Sequence, residues 1–222
     1  MGVAALEIRG LEVRLAAFVA LRGVSLEVPP GRTVGLVGRN GAGKTTTLKS
    51  VVGLVPVAAG TIRVSGRDLS GVPPHRRPEL GVGYLPEDRR LIGSLTVEEN
   101  LLLPLWARGG RDGGRRLEEI YALMPELPPL RGRRAGALSG GQQKLVALAR
   151  ALVSGTTLLL LDEPFEGLSP LLSRRLAEVI RGLREVAVLV TESDLVRMRL
   201  LTDAIYTIER GEIVGDAGGA SR

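Results

Sequence analysis

Gly38-Arg39-Asn40-Gly41-Ala42-Gly43-Lys44-Thr45 gathers residue types suited to one task, the grip of a polyphosphate. The spacing is GxxxxGK[ST], in which glycines at 38, 41 and 43 let the backbone curl until its N–H groups face anion oxygens. A helix starting at the end of the loop adds positive potential. Lys44 offers a mobile cation for the terminal phosphates, and the hydroxyls of Thr45 and Thr46 offer a Mg²⁺ ligand and a further donor. Far downstream, Asp162-Glu163 closes the run Leu158-Leu159-Leu160-Leu161. One carboxylate there can hold the Mg²⁺ shell, and the next can polarise a water as general base. Adjacent Asp and Glu before Pro164 would otherwise read as a solvated turn; the phosphate loop gives them the catalytic reading.

These groups need elements to carry them. Thr33 to Val37 is an apolar run that reads as a buried strand feeding the glycine loop, and the helical pattern resumes over Thr47 to Gly53. Four leucines before Asp162 need burial on both faces of a sheet, as a central parallel strand provides, with the acids at its C-terminal end. Between these pieces lies Leu138-Ser139-Gly140-Gly141-Gln142, small residues ahead of an amphipathic helix with Leu145, Leu148, Ala149 and Leu152 on one face. Leu6 to Arg9, Leu11 to Leu15 and Val24 to Val28 alternate as antiparallel strands with one wet face, and a short strand pair is expected around Thr61 to Val64. Gly81 to Pro86 reads as a core strand. Thr96 to about Met124 is helical, with a capping box at Thr96-Glu99 and an interruption at Gly109 to Gly114 that makes two short helices. A helix over Pro170 to Glu185, a strand over Val186 to Thr191, a short helix and a hairpin over Ala204 to Val214 complete the pattern, with Gly218 to Arg222 expected to be disordered.

Composition narrows the class. The 222 residues suffice for one large core and a small appended lobe. No apolar run approaches the roughly 18 residues of a membrane span, and the start lacks the build of a signal peptide. Zero cysteines remove disulfides and thiolate metal sites, and a lone histidine, His75, removes Ser-His chemistry. The net charge of +6 raises the question of nucleic acid. The 30 basic residues comprise only three lysines (Lys44, Lys49, Lys144) and hence 27 arginines, scattered in short clusters such as Arg89-Arg90 and Arg131 to Arg134. Aromatic residues are 3% of the chain, so stacking platforms are scarce and a solvated surface is favoured over a nucleic-acid partner. Some of these arginines suit anionic lipid head groups instead.

Leu138 to Gln142, placed shortly before Leu158 to Glu163, resembles the signature motif of ATP-binding cassette (ABC) ATPases, and the resemblance extends from Leu6 to about Gly215. Gly38 to Lys49, Leu69 to Arg77, Pro86 to Leu101 and Asp162 to Pro170 make the chain most similar to the second ATPase of branched-chain amino acid importers and of related urea or amide importers. Glu87, followed by Asp88-Arg89-Arg90, stands where most ABC ATPases have glutamine; this separates the chain from lipopolysaccharide-exporter ATPases, which are similar around Pro74 to Arg77. The resemblance implies an α/β P-loop NTPase with a parallel-sheet core, an antiparallel β subdomain and a small helical lobe. It implies one domain over 1–222, with the lobe inserted at about 88–137. It also implies ATP and Mg²⁺ as cofactors. Gly38, Asn40, Gly41, Gly43, Lys44, Thr45 and Thr46 would hold the phosphates, and Thr45, Asp162 and Glu87 the metal. Glu163, Glu87 and Ser193 would serve hydrolysis, while Ser139, Gly140, Gly141 and Gln142 would cap ATP on an opposite subunit.

Two positions depart from the family. Leu15 stands where an aromatic usually stacks on adenine, a loss of about 1 kcal/mol unless Phe18 replaces it. Ser193 stands where many members have a histidine near the γ-phosphate, although the importer subgroup often lacks it. The implied partners are membrane permease subunits docking on Leu91 to Leu105, a second ATPase chain in a heterodimer or homodimer, and indirectly an extracytoplasmic solute-binding protein, all at the cytoplasmic face of the inner membrane. The alternatives are a lipopolysaccharide-type exporter ATPase and a weakly hydrolysing regulatory partner. A soluble family member acting on DNA or ribosomes would carry a coiled-coil insertion or a second cassette, and neither is present.

Overall fold

The computed structural model of the chain describes residues 2–16, 18–107 and 113–217. The expected disorder of Gly218 to Arg222 and most of the Gly109 to Gly114 interruption lie outside the described residues.

Two sheets carry the molecule. The first is antiparallel, in the order β2-β1-β4-β5, built from β1 (Leu6–Leu15), β2 (Phe18–Val28), β4 (Ala59–Val64) and β5 (Arg67–Asp68). The second runs β10-β9-β3-β8-β7-β6, from β3 (Thr33–Val37), β6 (Val82–Leu85), β7 (Leu158–Asp162), β8 (Ala187–Glu192), β9 (Ala204–Glu209) and β10 (Glu212–Ala217). All its neighbours pair in parallel except the β9–β10 hairpin. Leu6 to Arg9 and Leu11 to Leu15 form one strand rather than two. Gly10 adopts φ 57 at a register shift, so the backbone bulges and continues where its glycine suggested a break.

Every residue of β3, β7 and β8 is buried. The leucines of β7 divide between two cores: Leu158 and Leu160 join the one shared with the antiparallel sheet, while Leu159 and Leu161 join the one formed with the helical side. This is the period-2 consequence of a strand covered on both faces. Helix α1 (Lys44–Val51) lies on the first side. It begins three residues before the expected Thr47, directly after Gly43 at φ 115, because the threonines at 45 to 47 are weak helix formers that disguise its first turn.

The helical side holds α2 (Val97–Trp106), α3 (Gly113–Leu123), α4 (Gly140–Ser154), α5 (Pro170–Gly182) and α6 (Leu195–Leu201). The Thr96-Glu99 capping box is present, with Glu99 N–H donating to the Thr96 hydroxyl and the Glu99 carboxylate accepting from the Thr96 N–H. On α4, Leu145, Leu148, Ala149 and Leu152 are all buried, as their spacing predicts. The proline-rich link before β6 coils into a 3₁₀ helix (Pro74–Leu80), and α5 stops at Gly182, short of the expected Glu185.

Candidate active site

At the C-terminal edge of the parallel sheet lies a cleft of about 700 Å³ whose lining includes Leu15, Phe18, Asn40, Gly41, Gly43, Lys44, Thr45, Thr46, Glu87, Glu163, Glu166 and Arg210. Strand β3 delivers the glycine loop. Two of its glycines are required sterically. A Cβ on Gly38 would lie 2.4 Å from the Ile208 carbonyl oxygen, and one on Gly43, already at φ 115, would lie 2.7 Å from Leu21. Gly41 at φ 80 faces open space. The first turn of α1 has no side-chain cap, which leaves its N–H groups to serve an anion in the cleft. From behind, the β9–β10 hairpin steadies the loop, Gly211 N–H donating to the Ala42 carbonyl at 2.9 Å.

The ammonium of Lys44 is buried and fully engaged. It donates to the carbonyls of Gly38 at 2.8 Å and Arg39 at 3.3 Å, and it pairs with the Glu163 carboxylate at 2.9 Å. Adjacent strands bring in the acids. Asp162, with no exposed surface, accepts hydrogen bonds from Thr45 Oγ1 at 3.0 Å and Thr191 Oγ1 at 2.9 Å on one oxygen, and from the Tyr84 hydroxyl at 3.3 Å on the other. Thr45 and Asp162, 117 positions apart in the chain, thus present two oxygen ligands side by side. Among the described residues no three of His, Cys, Asp and Glu gather into a metal cage. That donor set fits Mg²⁺, which takes one or two protein oxygens and fills its shell with phosphate oxygens and water.

Glu163 sits at φ 43, a left-handed conformation that costs a non-glycine residue about 1–3 kcal/mol. It is held there by tethers: its N–H donates to Thr191 Oγ1 at 3.2 Å, and its carbonyl accepts from Lys144 Nζ at 3.0 Å. The turn aims the carboxylate into the cleft beside Lys44. Glu87 has its carboxyl pKa raised, first by burial and then by the charges of Glu166, Asp162 and Glu163.

The remaining expected residues stand elsewhere. Leu15 and Phe18 are paired across the β1–β2 turn and both line the cleft, Phe18 being 61% exposed. Ser139, Gly140, Gly141 and Gln142 form the start of α4 outside this cleft, with Ser139 and Gln142 in a reciprocal capping box. Ser193 is exposed in the turn after β8 and does not line the cleft, whereas its neighbour Glu192 is buried and accepts from the Phe165 N–H at 3.3 Å. Tyr84, Thr191 and Lys144 also hold the site, through Asp162 and the Glu163 carbonyl, without standing out in the sequence. Tyr84 and Thr191 carry no motif, and the only signal at Lys144 is a cation within an otherwise apolar helical stripe.

A glycine loop on a parallel strand, a buried lysine, a Thr–Asp oxygen pair and a strained glutamate define a phosphate-binding hydrolase of the P-loop class. The family model described as ABC transporter matches residues 21–166, and the chain belongs to that family, whose members are ATPases that drive transport. It is 39% identical to the high-affinity branched-chain amino acid transport ATP-binding protein BraG of Pseudomonas aeruginosa, over 91% of this chain and 88% of the relative. It is 37% identical to the lipopolysaccharide export system ATP-binding protein LptB of Escherichia coli K12, over 86% of this chain and 81% of the relative. The solved structure titled "Structure of ATP binding subunit of ABC transporter" superposes with a TM-score of 0.86 at 28% identity, covering 96% of this chain and 90% of that one.

Proposed function

We propose that the chain is the ATP-hydrolysing subunit of an importer for branched-chain amino acids or related small amides. Lys44, Thr45 and Glu163 line one cleft, with Asp162 hydrogen-bonded to Thr45, and this arrangement carries the ATPase half of this reading. The likeness to BraG, together with Glu87-Asp88-Arg89-Arg90, supports the solute class. The likeness to LptB favours a second reading, export of lipopolysaccharide.

In the proposed mechanism, Gly38 to Thr46 and the uncapped start of α1 bind the triphosphate, and Leu15 or Phe18 meets the adenine. Lys44 exchanges its Glu163 partner for phosphate oxygens, which releases the Glu163 carboxylate to orient and deprotonate the attacking water. Thr45 and Asp162 hold Mg²⁺, with Glu87 close by; the ion supplies neutralisation of phosphate charge when bound. Ser139 to Gln142 cap the nucleotide of a second ATPase chain, Ser193 takes the switch position, and a single cassette over 1–222 includes the helical lobe at about 88–137. Ile92 and Trp106, 45% and 54% exposed on and beside Leu91 to Leu105, are apolar contacts for permease subunits at the cytoplasmic face of the inner membrane. No helix among the described residues is long and apolar enough to cross a membrane.

Deleting the encoding gene and measuring uptake of labelled leucine, isoleucine, valine and a short amide, alongside purification of the chain with its native membrane partners, tests this reading. Lost uptake and copurifying permeases support it. Normal uptake with copurifying lipopolysaccharide-export components supports the exporter.

A further inference from the structure

Lys144 is 1% exposed and lies one turn into α4. A cation there is opposed both by burial and by the positive end of the helix. Its ammonium reaches two backbone carbonyls from separate segments: Glu163, just after β7, at 3.0 Å, and Glu87, just after β6, at 3.4 Å. Both segments are strained. Glu163 is left-handed, and so are Arg89 and Arg90 in succession, at φ 62 and 47. Other α4 side chains hold only the Glu87 segment: Arg150 donates to the Arg89 carbonyl at 2.9 Å, and Gln143 accepts from Arg89 at 3.3 Å. Lys144 alone among these α4 contacts grips both carboxylate-bearing turns.

We infer that Lys144 is a positioning residue for hydrolysis, fixing the backbone of Glu163 and of the Glu87 turn relative to the Ser139–Gln142 end of α4. The helix end that faces another subunit and the carboxylate that activates water in this chain's own cleft then move as one body. A shift of α4 is transmitted to Glu163 through a single buried ammonium. The inference rests on the assignment of Glu163 as the base.

The test compares Lys144→Met, Lys144→Gln and Lys144→Arg with Glu163→Gln, each in the full chain purified with its membrane partners. The readouts are kcat, KM for ATP, affinity for a non-hydrolysable ATP analogue, and thermal unfolding. For Lys144→Met and Lys144→Gln the expected result is a fall in kcat of about tenfold or more, with KM and analogue affinity within about threefold of wild type and undiminished thermal stability. Lys144→Arg, which restores a cationic donor, should recover part of kcat. Unchanged kcat in the Met and Gln variants would overturn the inference, as would a parallel loss of affinity and stability or an Arg variant no better than Met. Full turnover in Glu163→Gln would instead remove the base assignment beneath it.

Discussion

Lys44 commits its ammonium to two loop carbonyls and to Glu163, so the loop is already organised around that charge. Lys44→Ala removes the cation that would meet the terminal phosphates. Charge-assisted hydrogen bonds contribute about 1.5–3 kcal/mol each, so binding of a labelled ATP analogue should weaken on the order of 10- to 100-fold. Unchanged affinity would take Lys44 out of the site. The adenine end poses a finer question, because Leu15 and Phe18 face one another across a turn and both reach the cleft. If adenine lies against Leu15, Leu15→Tyr should tighten binding by up to about tenfold through stacking. If the exposed Phe18 ring is the platform, Leu15→Tyr should leave affinity alone and Phe18→Ala should weaken it by a similar factor. Measuring both variants separates the two.

Elements hold these residues through buried polar contacts that a linear reading finds unevenly. Strands β3 and β7 were legible because unbroken apolar runs require cover on both faces, and the glycine loop because its residue types have one electrostatic use. The partners of Asp162 were not legible, since Tyr84 and Thr191 come from neighbouring strands and only the sheet register brings them within reach. Asn100 is a second such case. Fully buried on α2, it accepts from the Ile92 N–H at 2.9 Å and donates to the Ile92 and Thr96 carbonyls at 3.1 and 2.9 Å, closing the turn before the helix. Asn100→Ala strands those groups and should cost about 1–3 kcal/mol in denaturant unfolding, whereas a loss under half of that would mean the turn is held by its capping box alone. Glu192 supplies a pH test. Burial raises its carboxyl pKa against the opposing pull of the Phe165 N–H and Arg197. The folded protein therefore takes up that proton before the unfolded chain does, so a charged Glu192 weakens the fold above its folded-state pKa. The penalty fades as pH falls toward the ordinary glutamate value of about 4.3. Glu192→Gln should raise the melting temperature near neutral pH, with an advantage that shrinks on acidification; an advantage independent of pH would show that the charge is not its source.

At the scale of the whole molecule, the residues that resemble a nucleotide cap lie outside the chain's own cleft. Ser139 and Gly140 are exposed at the start of α4, which is capped by its own Ser139–Gln142 box and offers small residues to an approaching surface. Such an arrangement makes sense if two cassettes each complete the other's site. Lys44 and Glu163 line this chain's own cleft, whereas Ser193, which the resemblance to the family would put where many members have a histidine, does not. A different partner chain with a histidine there would hold the faster site, and the Ser139 end of this chain would close it. Backbone donors aimed at an anion stabilise charge only while small side chains allow contact, so Ser139→Arg should obstruct closure over the partner's nucleotide. Glu163→Gln should disable only the slower site, with nucleotide binding retained because the amide keeps the shape but accepts no proton. In vesicles reconstituted with the natural partners, Ser139→Arg is therefore expected to reduce transport-coupled ATP turnover more than Glu163→Gln does. Equal losses would indicate two identical chains, and a larger loss from Glu163→Gln would place the dominant hydrolysis in this chain's own cleft.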